Sequence, residues 1–290
     1  MTGGRPVEAA RVAARRIALF HGLPVEPTSA LELKDALHMG ALAGIGAGDL
    51  AAACGYGDRH RSLVFLREQR DLAVEAGLAP DALAGRWRSA LAAGAVYLTD
   101  WIASGRPTAA GRAIGPAAVA MVHGLCGDDE SRDTWLGAVA TLRGVDRAQA
   151  TKGSGYGSVF DAILLLHKGK AVLARAALTE DSDGAATWYR HLMVQWRAAL
   201  LAEAAVLAAD ADAEERCADA AVVASGNPLA TAITDRACAL ASHDSGTLVE
   251  LAGRFDSVGA LYQAARTLVL AGGSRAEDGV ARLAELTEPG

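Results

Sequence analysis

Apolar residues recur along the chain at the three- and four-residue spacing of amphipathic helices. The segments 162–176, 236–255 and 265–283 each combine an apolar helix, a tight polar or glycine turn and a second helix with alanine and leucine on one face. Few windows alternate apolar and polar residues with the period of two that a half-buried strand requires. The pattern therefore predicts an all-α protein built from pairs of short helices.

Residues that favour helix N-termini stand where several of these helices should begin. The stretches 29–32, 146–149 and 274–277 have the form of a capping box, in which a side chain satisfies an exposed backbone N–H and a second one reaches back. Asn227 followed by Pro228 predicts another start, because proline in the first helical position loses no hydrogen bond.

The turns between the predicted helix pairs indicate an internal repeat. Gly169, Asp210, Asp244 and Gly273 are separated by 41, 34 and 29 residues, which scatter around the ~34-residue period of tetratricopeptide-like repeats. Because one helical hairpin cannot bury its apolar stripe alone, we expect the hairpins to stack into an α-solenoid. A globular helical bundle is the alternative. We predict one helical-repeat domain over residues 1–290, which would divide into halves, if at all, near the linker-like stretch 143–158.

Composition and charge limit the cellular compartments and the classes of partner that we expect for this protein. The chain is 51% hydrophobic but only 5% aromatic, and its net charge is −6. A module that binds duplex nucleic acid needs a basic face, so we expect no direct contact with DNA or RNA. No signal-peptide core and no apolar stretch of membrane-spanning length occurs. The cysteines show neither a CxxC motif nor metal-ligand spacing. We expect a cytoplasmic, soluble protein without a membrane contact.

The glycine-rich stretch TKGSGYGSVF, residues 151–160, has the composition of a phosphate-binding loop. A P-loop requires GxxxxGK[ST] after a strand, whereas here Lys152 precedes the glycines and no GK[ST] occurs anywhere in the chain. We therefore predict a turn that leads into a helix beginning near Ser158. The histidines lack zinc-site spacing and no GxSxG motif is present. Accordingly, we predict no catalytic residue, no metal and no cofactor.

Two aromatic helices, 85–105 and 187–204, carry four of the five tryptophans. Large aromatic residues at helical spacing usually form the core between neighbouring helices. The alternative is a concave groove in which aromatic rings hold a ligand or peptide and polar neighbours orient it. The candidate residues for binding a ligand or partner are Trp101, Trp188, Tyr189, Trp196, Arg86, Arg190 and His191.

The C-terminal segments SGNPLATAITDRACAL and LAGRFDSVGALYQAARTLVLAGG resemble the last helical repeats of large ATP-binding transcriptional regulators of the LuxR type. ALHMGALAGIGAGDLAAACGYGDRHRSLVFLREQRDLA and AVAMVHGLCGDDESRDTWLGAVATLRG are similar to earlier parts of that region. In that family an NTPase module precedes the repeats and a helix-turn-helix module follows them. The resemblance implies a tetratricopeptide-like fold and a role in sensing a small effector or docking a partner. The chain has no Walker A motif and no LTxRExEVL-type motif, so ATPase and DNA-binding activities are not carried over.

Three hypotheses follow for the function. The leading one is a non-enzymatic helical-repeat sensor or protein-interaction module associated with LuxR-type regulation. It would bind either the NTPase or DNA-binding subunit of a regulator, or a small effector. The second is a helical enzyme for a small metabolite, which should bring at least two of a set of polar side chains into one pocket. That set is His123, His167, His191, Asp128 and Asp129. The third is an assembly element that forms a homodimer through the ends of the solenoid.

Overall fold

The computed structural model describes residues 5–20, 22, 26–180 and 188–287. In these residues it contains sixteen α-helices, three short 3-10 turns and no β-strand, which confirms the prediction of an all-α protein. The helices are α1 (Pro6–Ala18), α2 (Pro27–Ala47), α3 (Leu50–Arg61), α4 (Arg70–Ala84), α5 (Trp87–Ala103), α6 (Ile114–Leu125), α7 (Asp129–Arg143), α8 (Gly157–His167), α9 (Ala171–Glu180), α10 (Trp188–Leu192), α11 (Val194–Leu207), α12 (Ala213–Ala224), α13 (Pro228–Ala241), α14 (Ser245–Ser257), α15 (Leu261–Ala271) and α16 (Gly273–Thr287).

Helices that are consecutive in the chain pack against each other and form stacked hairpins. Contacts join α1 to α2, α2 to α3, α3 to α4 and α4 to α5, and the same neighbour pairing recurs between α6 and α7, α11 and α12, and α15 and α16. A second set of contacts joins one hairpin to the next, between α4 and α6, α6 and α8, and α11 and α13. This arrangement is the solenoid-like stack of helical hairpins that the repeat pattern predicted.

Helices from the two ends of the chain also meet. The second helix, α2, contacts α10 and α11, while α4 contacts α15 and α5 contacts α16. The rings of Trp87 and Tyr262 pack with their centroids 5.4 Å apart. One hydrophobic cluster extends from Leu42 to Ala264 and includes residues on both sides of 143–158. The stack therefore folds back far enough for C-terminal helices to cover N-terminal ones.

Side-chain caps define several helix starts, and some differ from the sequence prediction. Asn227 caps α13 as expected, because its Oδ1 accepts the N–H of Ala230 at 2.8 Å and Pro228 is the first helical residue. The predicted start at Ser29 is wrong: α2 begins two residues earlier at Pro27, and Ser29 is the third helical residue of a capping box with Glu26. Proline in the first position favours this earlier start.

The predicted aromatic helix 187–204 is two helices in the structure. The short helix α10 ends at Leu192, and α11 begins at Val194 after the non-helical Met193; residue 187 lies outside the described residues. No helix in the part of the chain that the structure describes is both long and apolar enough to cross a bilayer.

Candidate functional site

Three of the four predicted aromatic binding residues are buried in the core. Trp196 is fully buried and donates its indole N–H to the carbonyl oxygen of Ile45 at 2.8 Å. Trp101 donates in the same way to the carbonyl oxygen of Pro107 at 3.1 Å. The hydroxyl of the buried Tyr189 donates to a backbone carbonyl at 2.6 Å. Because these rings are covered and their polar atoms are paired within the chain, they support neighbouring helices and form no open aromatic groove.

The fourth aromatic residue, Trp188, is half-buried at the start of α10 and stacks on Tyr189 with the ring centroids 3.9 Å apart. Arg190 and His191 follow on the same short helix and are also half-buried. None of these α10 residues lines either of the two cavities beside α3.

Arg86 lies apart from α10, at the position directly before α5. Its guanidinium is 3.2 Å from a carboxylate oxygen of Asp58 and 3.3 Å from one of Asp81. Of the seven predicted binding residues, Arg86 alone lines one of the two cavities beside α3. The structure therefore does not bring the seven residues together in one site.

Two adjacent cavities form a cleft along α3, which we call the α3 cleft. The first, of about 450 Å³, lies among α1, the α2–α3 turn, the start of α13 and the end of α14. The second, of about 350 Å³, lies between α3, the α4–α5 turn and the α14–α15 turn. The exposed side chain of Ala51 lines both cavities. Each volume falls within the range of about 300–1,000 Å³ that is usual for small-molecule sites.

Small residues make up the floor of the α3 cleft because helices approach closely there. A Cβ atom on Gly44 would lie 2.9 Å from the Cβ of Ala53, so a side chain at this position would push α2 away from α3. Gly48 has a φ of +74°, and a Cβ there would lie 2.1 Å from Oδ1 of Asn227. Glycine is therefore required at position 44 for space, and at position 48 for both space and backbone conformation.

Buried polar side chains hold this floor from behind. The amide of Asn227 donates to the carbonyl oxygen of Gly46 at 2.9 Å and to Oε1 of Gln195 at 3.2 Å. The indole of Trp196 reaches the adjacent carbonyl of Ile45. The last turn of α2 is thus fixed to α11 and α13 by hydrogen bonds between residues far apart in sequence. Trp196, which the sequence placed in a candidate groove, acts here as a support for the cleft.

Each end of the α3 cleft is lined by one cationic and one anionic side chain, Arg11 with Asp49 and Arg86 with Asp58. Arg11 of α1 is exposed at the first cavity, and no acidic side chain in the described ranges forms a salt bridge with it. Asp49, at the same cavity, caps α3 by accepting the N–H of Ala52 at 2.9 Å. This end therefore offers one unpaired guanidinium beside an apolar, small-residue surface.

At the second cavity, Arg86 belongs to an ionic network. Asp81 is 1% exposed and accepts hydrogen bonds from Ser89 at 2.8 Å and from Arg61 at 3.2 Å, in addition to its contact with Arg86. Burial and the neighbouring Asp81 raise the pKa of the Cys54 thiol to about 12. The thiol therefore stays protonated at neutral pH and is a poor nucleophile.

Of the five residues proposed for an enzyme site, His123 and Asp128 come together. His123 Nδ1 lies 3.2 Å from Oδ2 of Asp128, but this carboxylate caps α7 by accepting the N–H of Ser131. Asp129 pairs with Lys168 across 3.1 Å. None of the three histidines or two aspartates of that hypothesis lines the α3 cleft.

The glycine-rich stretch 151–160 forms turns and bends up to the start of α8 at Gly157. Gly153 and Gly155 have φ values of +62° and +80°, which explains the glycines by conformation. A recess of about 210 Å³ lies beside this turn, lined in part by Lys152 and Asp161. Glu180 also lines this recess, and the two carboxylates would repel a phosphate group.

Sequence reasoning missed Arg11, Ala51 and the long-range role of Asn227. The available signal was the run GIGAGD at 44–49, where glycines and alanine precede a helix cap. That run predicts a close helix approach but does not identify the helices that meet there.

Within the described ranges, no three side chains of metal-ligating type are close enough together to hold a metal ion. No protein-family model matches the chain, and no curated protein sequence is significantly similar to it.

Proposed function

We propose that this protein is a non-enzymatic helical-repeat binding module that holds its ligand or partner in the α3 cleft. The observation that carries the proposal is the pair of cavities that share Ala51 as a lining residue, with walls from helices at both ends of the chain. Helical-repeat proteins bind through surfaces that several repeats build together. The polar atoms behind the floor are paired within the chain, so the shape of the cleft does not depend on an occupant.

The regulatory part of the proposal rests on the resemblance of the C-terminal segments to LuxR-type regulators. As a module of that kind, the chain would dock the NTPase or DNA-binding subunit of a regulator, or sense a small effector. The net charge of −6 is in keeping with a role in which nucleic acid is contacted by a partner.

Ala51 provides the test, because a large side chain there would obstruct the two cavities that share it as a lining residue. We expect tagged wild-type chain to capture an NTPase or helix-turn-helix protein from its native lysate in near-stoichiometric amount, measured by mass spectrometry. The Ala51→Trp variant should lose this partner. Ala218→Trp is the matched control, since Ala218 is also an exposed helical alanine and lines neither cavity.

Comparison of the wild-type chain with Ala51→Trp and Ala218→Trp distinguishes the possible outcomes. Equal capture of the partner by Ala51→Trp and Ala218→Trp would show that binding occurs elsewhere on the molecule. If wild-type chain captures no such regulator, the protein-docking form of the proposal fails. Native mass spectrometry of the purified chain then tests the small effector, whose retained mass should be present in Ala218→Trp and absent in Ala51→Trp.

A further inference from the structure

Three charged side chains are buried together between α11, α13 and α15, away from the α3 cleft. Glu203 and Arg236 are 0% exposed and Arg266 is 5% exposed. One carboxylate oxygen of Glu203 accepts from Nη2 of Arg236 at 2.6 Å, and the other lies 2.5 Å from Nη1 of Arg266. Gln263 and Thr267 each accept from Nη1 of Arg236 at 2.9 Å. The cluster is therefore well packed and largely hydrogen-bonded.

The cluster nevertheless contains one more positive charge than negative. Although burial acts to raise the pKa of Glu203, the two arginines hold it below its usual value, so the carboxylate is ionised. Guanidinium groups stay protonated in proteins. Burial and the neighbouring Arg266 lower the pKa of His167, so this ring is neutral and does not change the charge of the cluster. Among the described residues, Glu203 is the sole carboxylate that pairs with either arginine.

Two donors beside this surplus charge have no partner. Nη2 of Arg266 and the hydroxyl of Tyr262 are both buried without a hydrogen bond, as is the acceptor Oε1 of Glu203, which keeps its ion-pair contact with Nη1 of Arg266. Tyr262 is 2% exposed, and its ring is held between Trp87, at a centroid distance of 5.4 Å, and His167, at 5.9 Å. Buried donors in folded proteins are nearly always satisfied by protein, water or an ion. An unpaired charge in a core costs more than an unpaired neutral group.

We propose that a small monovalent anion binds between Nη2 of Arg266 and the hydroxyl of Tyr262. An anion accepts hydrogen bonds from both donors and also neutralises the surplus charge, whereas a water molecule leaves that charge unchanged. Glu203, Arg236, Tyr262 and Arg266 are at most 5% exposed, so the anion that we propose is no larger than chloride or formate. The site is independent of the proposed function, because none of the charged residues of the cluster lines the α3 cleft.

Anion-dependent stability of the whole chain is the first measurement. Thermal unfolding is followed in sodium chloride, sodium formate and sodium gluconate at equal ionic strength. A bound anion that the unfolded chain does not hold raises the melting temperature with its concentration. We expect chloride or formate to raise the melting temperature above that in gluconate, which is too large for the site. The chloride and formate arms decide between a halide and a carboxylate. Excess line broadening of the ³⁵Cl resonance reports chloride binding directly.

The Tyr262→Phe variant removes one of the two unpartnered donors and keeps the ring that packs on Trp87. It should abolish the anion-dependent rise and the excess ³⁵Cl broadening. Tyr97→Phe is the matched control, because Tyr97 is also fully buried with an unpartnered hydroxyl but lies elsewhere; it should keep both effects. Arg266→Met should also abolish them, and it leaves Glu203 and Arg236 as a neutral pair.

The proposal is overturned if the melting temperature is the same in all three salts, which would mean that water alone occupies the site. It is also overturned if Tyr262→Phe and Tyr97→Phe respond to chloride and formate alike. Should Arg266→Met fail to fold, the comparison of the two tyrosine variants still decides the question.

Discussion

At the scale of single residues, Asn227 shows where sequence reasoning succeeds and where it stops. The Asn-Pro pair predicted a helix N-cap, and the side chain does accept the N–H of Ala230. Its amide also donates to Gly46, which is 181 positions away. A local capping preference can be predicted from adjacent residues in the sequence. A hydrogen-bond partner at this separation is instead determined by the packing of α2 on α11 and α13. The same limit applies to Trp196, whose helical spacing favoured the core but left a groove open as the alternative.

We expect Asn227→Ala to destabilise the protein by about 2–4 kcal/mol. Loss of the cap costs about 1 kcal/mol, and the buried acceptor on Gly46 that loses its donor costs about 1–3 kcal/mol more. Asp244→Ala is the control: it removes a cap that accepts the N–H of Thr247 at 3.0 Å on the exposed start of α14, so it should cost only about 1 kcal/mol. Urea unfolding measures both. Equal losses would mean that the bond from Asn227 to Gly46 contributes nothing measurable.

At the scale of elements, the apolar pattern located the helices better than their ends or contacts. The pairs over 162–176, 236–255 and 265–283 correspond to α8–α9, α13–α14 and α15–α16. The predicted capping box at 146–149 instead forms a three-residue 3-10 turn, Arg147–Gln149, without a side-chain cap. A short motif states only that a helix could begin there, whereas its continuation depends on an apolar face that finds a partner.

Glycines on α3 give a prediction for the packing of α3 on α4. A Cβ on Gly57 would lie 2.7 Å from the Cα of Gly77, so these helices touch backbone to backbone. We expect Gly57→Ala to destabilise the protein by about 1–3 kcal/mol, because the helices must separate. On the same helix, a Cβ added to Gly55 would meet no atom of a neighbouring element within 4 Å, and Gly55→Ala should stabilise by about 0.5–1 kcal/mol. Chemical denaturation compares the two, and a shift of the same sign in both would contradict the close-approach explanation.

At the scale of the whole molecule, the sequence predicted a stack of hairpins. It did not predict that C-terminal helices would pack against N-terminal ones. Contacts of α2 with α11 and of α4 with α15 join opposite ends of the chain. Periodicity identifies the apolar face of each helix, while the curvature of the stack comes from small rotations between many helix pairs. The α3 cleft exists because of that curvature. The sequence therefore predicted the construction of the molecule and one residue of its cleft, Arg86, but not the place where the cleft forms.

Buried and half-buried histidines distributed through this stack should make the stability of the whole molecule fall in mild acid. Burial, with smaller contributions from His60 and Lys34, lowers the pKa of His38 from 6.5 to about 4, and burial also lowers the pKa values of His60 and His167. The unfolded chain takes up protons below pH 6.5 while the folded chain does not, so stability is complete above pH 6.5 and is lost as the pH falls towards 4.

The contribution of His38 to this acid sensitivity can be isolated by His38→Gln, which keeps a polar side chain but cannot be protonated. The half-buried ring should account for about 2 kcal/mol between pH 7 and pH 4, less than the full pKa shift implies because water still reaches it. The free energy of unfolding from urea titrations at pH 7, 6, 5 and 4 should therefore decline less steeply in the variant. His60 and His167 remain in the variant, so part of the slope should persist. Parallel pH profiles for the two proteins would show that His38 is already accessible to protons in the folded state, and the packing of α2 against His60 would then be looser than the 6.2 Å separation of the two rings implies.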